Sequence, residues 1–165
     1  MTIDELPDDA MLRVVSACPA LPAVAAEAMC LALTKLFAQF QHEGRCSEFA
    51  ITVAGGGSFM LLAWVGSPLS GCSHDKIAKL LSLFEQRAAV ALLAPPPIVM
   101  EGDGQRQFFT HSQFKAAVIE GLVARDVLMW DTMVADLGSW RAGSCRPLSE
   151  HWAYPLWQRA QALAS

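Results

Sequence analysis

The residues best suited to chemistry lie together in Leu69-Ser70-Gly71-Cys72-Ser73-His74-Asp75-Lys76. A cysteine in the first turn of a helix meets unpaired backbone N–H groups and the positive end of the helix dipole, and both favour thiolate over thiol. A protonated His74 or Lys76 pushes the same way, while Asp75 opposes it. The hydroxyls of Ser70 and Ser73 can face a bound anion, and Gly71 lets that anion reach the backbone. The candidate site is therefore Cys72 as nucleophile or anion contact, with Ser70, Gly71, Ser73, Asp75 and Lys76 around a small anionic ligand. A plainer reading competes with it: Ser73 or Cys72 caps the helix, Asp75 complements the dipole, and Cys72 is a small buried residue.

Two residues far along the chain extend the candidate site. His151, beside Trp152, is a candidate general base for Cys72, because Cys/His pairs meet through the fold and not through the sequence. A capping or exposed histidine is the ordinary alternative. Asp131 follows the strand-like run from Val127 and could face a ligand, or else cap the next short helix. Trp130, Trp140, Trp152 and Trp157 read as core or interface aromatics. The five cysteines include no C-x-x-C pair, and the four histidines stand at no zinc-like spacing from them. Neither a metal, a disulfide nor a cofactor is expected.

The elements that must position these side chains can be read from periodicity. Met11 to Ser16 is a short strand, ended by Pro19 and Pro22. Ala23 to about Gln41 is an Ala/Leu-rich helix that Pro22 opens and Gly44 closes. Phe49-Ala50-Ile51-Thr52-Val53, Gly55-Gly56-Gly57 and Phe59 to Val65 form a hairpin. Ile77, Leu80, Leu81 and Phe84 recur at i, i+3, i+4, i+7 and predict a helix to about Arg87. Ile98 to Glu101 and Arg106 to Phe109 flank Gly102-Asp103-Gly104 as a second hairpin, and Thr110-x-x-Gln113 is a capping box for a helix closed by Gly121. A strand over 127–133, a short helix or turn over 135–147 and a C-terminal helix interrupted at Pro155 complete the chain.

The order strand, helix, strand, strand, helix, strand matches the split βαβ of a ferredoxin-like unit. The expected fold is α+β: an antiparallel βαββαβ sheet over 11–100 with helices on one face, a flexible N-terminus over 1–10, and a hairpin and helical extension over 101–165. One domain is expected from the length of 165 residues.

Composition narrows the partners. A net charge of −4 with scattered Lys and Arg excludes a nucleic-acid face. Hydrophobic residues at 53% and charged residues at 17% suggest more apolar surface than one core hides, so a homodimer or protein partner is expected. The acidic N-terminus is no signal or transit peptide, and the window from Ala88 to Met100 is too short to span a bilayer, so no membrane segment and a cytoplasmic location are expected. Leu69-Ser70-Gly71 copies the start of the Leu-Ser-Gly-Gly-Gln signature of ABC ATPases. Gly55-Gly56-Gly57-Ser58, however, lacks the lysine of a phosphate-binding loop, and Val127 to Asp131 copies only the shape of a Walker B strand.

From Met11 onward the chain resembles an uncharacterised bacterial family with a Ser-Gly-Cys-Ser-x-Asp-Lys/Ser core, often labelled "ABC transporter ATPase" although it lacks Walker motifs. Ser70-Gly71-Cys72-Ser73, Asp75 and Lys76 carry the resemblance, with the hairpin before Phe114 and the tail Pro147-Leu148-Ser149-Glu150-His151-Trp152. The family has an aliphatic residue at the position of His74, and its tail has Trp and His in the opposite order. The resemblance implies no established activity, but it favours a site at Cys72, Ser73 and Asp75. Two functions follow as expectations: a binding or assembly module, homo-oligomeric, or a small-ligand or thiol-dependent enzyme using Cys72.

Overall fold

The computed structural model describes residues 1–165. Its elements are β1 (Met11–Ser16), α1 (Ala23–His42), β2 (Glu48–Ala54), β3 (Phe59–Val65), α2 (Gly71–Ala88), β4 (Ile98–Glu101), β5 (Arg106–Phe109), α3 (His111–Ile119), β6 (Leu128–Trp130), α4 (Leu137–Gly143), β7 (Cys145–Pro147) and α5 (Tyr154–Ala164). The fold is mixed α+β with two antiparallel sheets and five helices. Backbone contacts divide it into two compact units, Met1–Pro95 with Thr132–Ala142, and Pro96–Asp131 with Gly143–Ser165. The first break falls inside the triple proline, where the missing N–H groups cannot continue a ladder.

In the first unit the sheet order is β1-β3-β2, with both pairings antiparallel. Side chains alternate across a strand, so Val15, Met60, Leu62 and Trp64 share one face with Phe49, Ile51 and Val53. Met29, Leu33, Phe37 and Phe40 of α1 and Ile77 and Leu81 of α2 are buried on that face. The spacing of the α1 residues is the helical stripe that sequence periodicity requires. By length and composition α1 could also cross a bilayer, yet this stripe is packed into the core. On the opposite face Phe59, Leu61 and Ala63 are buried as well, and Trp140 of α4 meets Phe59 edge to face at 5.9 Å. The first ten residues are folded onto this unit, with a 3-10 turn at Ile3–Glu5, Leu6 buried, and Arg141 donating to the Ile3 and Leu6 carbonyls.

The sixth element expected of a βαββαβ sheet does not join it. Ile98–Glu101 instead founds a second sheet of order β5-β4-β6-β7, and the β1 edge receives isolated bridges, Cys18 to Ala91 and Met11 to Asp136. The cause is local: Pro95-Pro96-Pro97 turns the chain away just where a fourth strand would have to run. In the second unit Ile98, Met100 and Met129 of the sheet pack with Phe114 and Val118 of α3 and Ala160 of α5. The Thr110–Gln113 capping box forms. Pro155 does not interrupt the last helix. It sits in its first turn, where no backbone donor is lost.

Candidate functional site

The stretch from Ser70 to Lys76 is the first turn and a half of α2. Ser70 is the N-cap: its backbone is extended, and its Oγ accepts the Ser73 N–H at 3.2 Å. The cap thus falls two to three residues earlier than Cys72 or Ser73, and these become first-turn residues. Leu69 is buried in front of the cap, which fixes where the chain enters the helix. Ser73 is fully buried, whereas Cys72 and Asp75 are exposed and Lys76 is half-buried. The buried serine faces Arg45, which the sequence had not singled out.

Arg45 reaches the cap through the end of α1. Gly44, at φ 72°, makes the left-handed turn that closes the helix, and the Arg45 N–H donates to the Phe40 carbonyl at 2.8 Å. Arg45 Nη1 then donates to Ser73 Oγ at 2.6 Å and to Ser70 Oγ at 3.4 Å, and the two hydroxyls are 3.1 Å apart. Its Nε pairs with Glu43 at 2.6 Å. The Gln39 amide first of all, then the charges of Arg45 and Lys76, holds the Glu43 carboxyl below its usual range. Arg45 and Lys76 both lie over the Phe40 ring, at 5.5 and 5.9 Å. Beside this group lies an open cleft of about 600 Å³ lined by Gly44-Arg45-Cys46-Ser47 and Gly66 to Ser70.

A second arginine meets the same turn from the sheet. Arg13 stands on the helix-facing side of β1, opposite Leu62, and its Nη1 lies 3.2 Å from Nδ1 of His74. A guanidinium has donors only, so Nδ1 accepts and the His74 proton sits on Nε2. The half-buried Arg13 is held below its ordinary pKa by burial.

Cys72 makes no hydrogen bond to side chain or backbone partner through its sulfur and is exposed. Cys18, Cys30, Cys46 and Cys145 are half-buried or buried, and burial pushes each of their thiols up. No three His, Cys, Asp or Glu side chains gather as a metal-ligating group.

Asp131 and His151, the distant members of the expected site, belong to the second unit, and the Ser70–Lys76 stretch belongs to the first. His151 is buried, with 4% of its surface exposed. Its Nδ1 accepts the Ala153 N–H at 3.1 Å, which leaves Nε2–H to donate to the Trp130 carbonyl at 3.0 Å. Both ring nitrogens are therefore occupied inside their own unit. Burial lowers its pKa, opposed by the Trp130 carbonyl and the charge of Asp131. Asp131 accepts from Arg146 at 3.1 Å. The helix-capping role open to Asp131 is taken by Asp136, whose carboxylate accepts both the N–H and the hydroxyl of Ser139 at 2.7 and 2.8 Å.

The stretch singled out by composition is thus a coherent surface, but its partners are the arginines of β1 and of the α1–β2 loop. Arg13 had a readable signal, a lone charge on the core face of an otherwise apolar strand. Arg45 had none beyond its place next to Gly44. No family model, curated protein or solved structure matches the chain.

Proposed function

We propose that the chain is a non-enzymatic, cytoplasmic binding module whose working surface is the start of α2, taking a small anionic group between the first-turn amides and Arg45. The observation that carries this reading is the seating of Arg45 on Ser70 and Ser73 beside the 600 Å³ cleft. The first N–H groups of α2, at Gly71 and Cys72, need an outside acceptor, and an anion suits both them and the dipole. Titrating inorganic phosphate into the labelled protein tests it: the Gly71 and Cys72 amide resonances shift saturably, and Arg45→Gln abolishes the shift. Unmoved amides refute the reading.

The exposure of Cys72 supports the thiol-dependent reading as the alternative. Exposure alone makes Cys72 the first of the five cysteines to be alkylated by iodoacetamide. The enzymatic reading needs more, an apparent pKa below the free-thiol value of about 8.5, and an ordinary rate–pH profile by mass spectrometry rules it out.

We read the first unit as a ferredoxin-like sheet missing its fourth strand, and the Ser70–Lys76 core as membership of the uncharacterised bacterial family it resembles. Self-association is read at the exposed stripe of Val24 and Leu31 on α1, 81% and 57% exposed; light scattering that gives a monomer at high concentration refutes it.

A further inference from the structure

Arg87, Arg125 and Arg159 are exposed and need no counter-ion, but Arg13 is half-buried and differs from the other arginines drawn out of solvent. Arg45, Arg106, Arg141 and Arg146 each hold a carboxylate at 2.5–3.1 Å. Arg13 is half-buried on the core face of β1 and has no carboxylate partner; its one hydrogen-bond partner is the neutral His74 ring. A partly desolvated cation without a counter-ion is costly, and a chain that keeps one has a use for it or an unmade partner. Two of its five donors at most are engaged by a single imidazole nitrogen, so a fork remains for a planar anion.

The surroundings say which anion. Arg13 and His74 line a wide-mouthed surface cavity of about 310 Å³ in the first unit, and they are the ionisable side chains among its lining residues. The remaining wall is largely apolar, with Met11, Trp64, Leu69 and Met133. This volume lies at the low end for small-molecule sites, about 300–1,000 Å³. One formal positive charge neutralises a monoanion, whereas a phosphate dianion would leave net negative charge against an apolar wall. The guanidinium fork matches a carboxylate in two parallel N–H···O bonds, and His74 Nε2–H supplies another donor at the same lining.

We propose that this cavity is a carboxylate-binding site for a small acid with an apolar body, the carboxylate on Arg13 and the apolar part against Trp64, Leu69 and Met133. It shares Pro68 and Leu69 with the Arg45 cleft but none of that cleft's charged side chains, and it does not rest on the anion reading of that cleft. Arg13 orients the acid, and the thioether and indole walls select against charged or strongly hydrated tails.

The test uses the full chain with methyl-labelled methionine, and benzoate and octanoate as probes. Both acids are expected to shift the Met11 and Met133 methyl resonances saturably, benzyl alcohol is expected not to, and excess inorganic phosphate is expected not to displace benzoate. Arg13→Met is expected to weaken benzoate at least tenfold while leaving thermal stability unchanged or raised, because it removes the unpaired charge. A purely structural Arg13 would instead lose stability without any benzoate binding to lose. Should Arg13→Met not fold, Arg13→Lys keeps the charge without the fork and is expected to weaken benzoate several-fold. Equal binding of benzyl alcohol, binding retained without Arg13, or no saturable shift at those methyls overturns the proposal.

Discussion

Ser73→Ala measures how firmly Arg45 is tied to the start of α2. The substitution removes a fully buried hydroxyl that accepts from a guanidinium at 2.6 Å. A hydrogen bond to a charged group contributes about 1.5–3 kcal/mol. Arg45 is 32% exposed in its side chain and keeps Glu43 at 2.6 Å, so water and the carboxylate recover part of the loss, and the expected cost falls to about 1–1.5 kcal/mol. Ser70→Ala removes the cap itself and costs about 1 kcal/mol. The two hydroxyls are 3.1 Å apart and share Arg45, so the double variant should fall short of the sum by roughly 0.5 kcal/mol. Urea unfolding gives the free energies, and native-state amide exchange over the first turns of α2 reports the local loosening. A neutral Ser73→Ala, or a strictly additive double variant, refutes the coupled cap.

Other expectations concern the core, the turns and the second unit. Phe37→Ala, which removes a fully buried ring in contact with Phe40, Phe49 and Trp64, should cost about 3–5 kcal/mol in urea unfolding. Gly57 has φ +96°, a Cβ there would run into the Leu21 backbone, and its carbonyl accepts the Leu21 N–H at 2.9 Å. Gly57→Ala should therefore lower the thermal midpoint far more than Gly56→Ala, where φ is +60° but the space is open. His151 is buried and its pKa is lowered, so its contribution to stability is complete above the unfolded value of about 6.5 and is lost as pH falls through the folded value. The urea midpoint should drop as pH falls below about 6.5, with a shallower drop in His151→Gln; an equal drop in both proteins dismisses the histidine as the cause.

Local chemistry written in the sequence was decisive for the single elements. The proline before α1, the glycine behind it, the Thr110–Gln113 box and the apolar stripes of α1 and α2 specify start, stop and buried face within a few residues, because capping and periodicity act over one or two turns. The triple proline, which by its missing donors reads as a loop or edge segment, also carries the reason for the missing fourth strand: it removes donors at the point where Ile98–Glu101 would have had to turn back to β1. The same limit hid the capping role of Asp136, since Asp131 and Asp136 both precede a short helix and only the backbone path selects one.

The Ser70–Lys76 stretch shows where local information ends. Its helix start and its mixture of hydroxyl, thiol and charge are legible directly, and so is the place of Cys72 in the first turn, because the helix dipole acts over a short range. Which side chains would face it was a matter of long-range geometry. Arg45 lies 28 residues from Ser73 and Arg13 lies 61 from His74, while His151, the base expected from residue type, has both ring nitrogens taken by backbone groups of its own unit. Residue type and spacing determined that α2 begins with a polar, open turn; the tertiary structure decided that Arg45 and Arg13 of its own unit meet it, because pairing across elements depends on strand order and helix packing that no local pattern encodes.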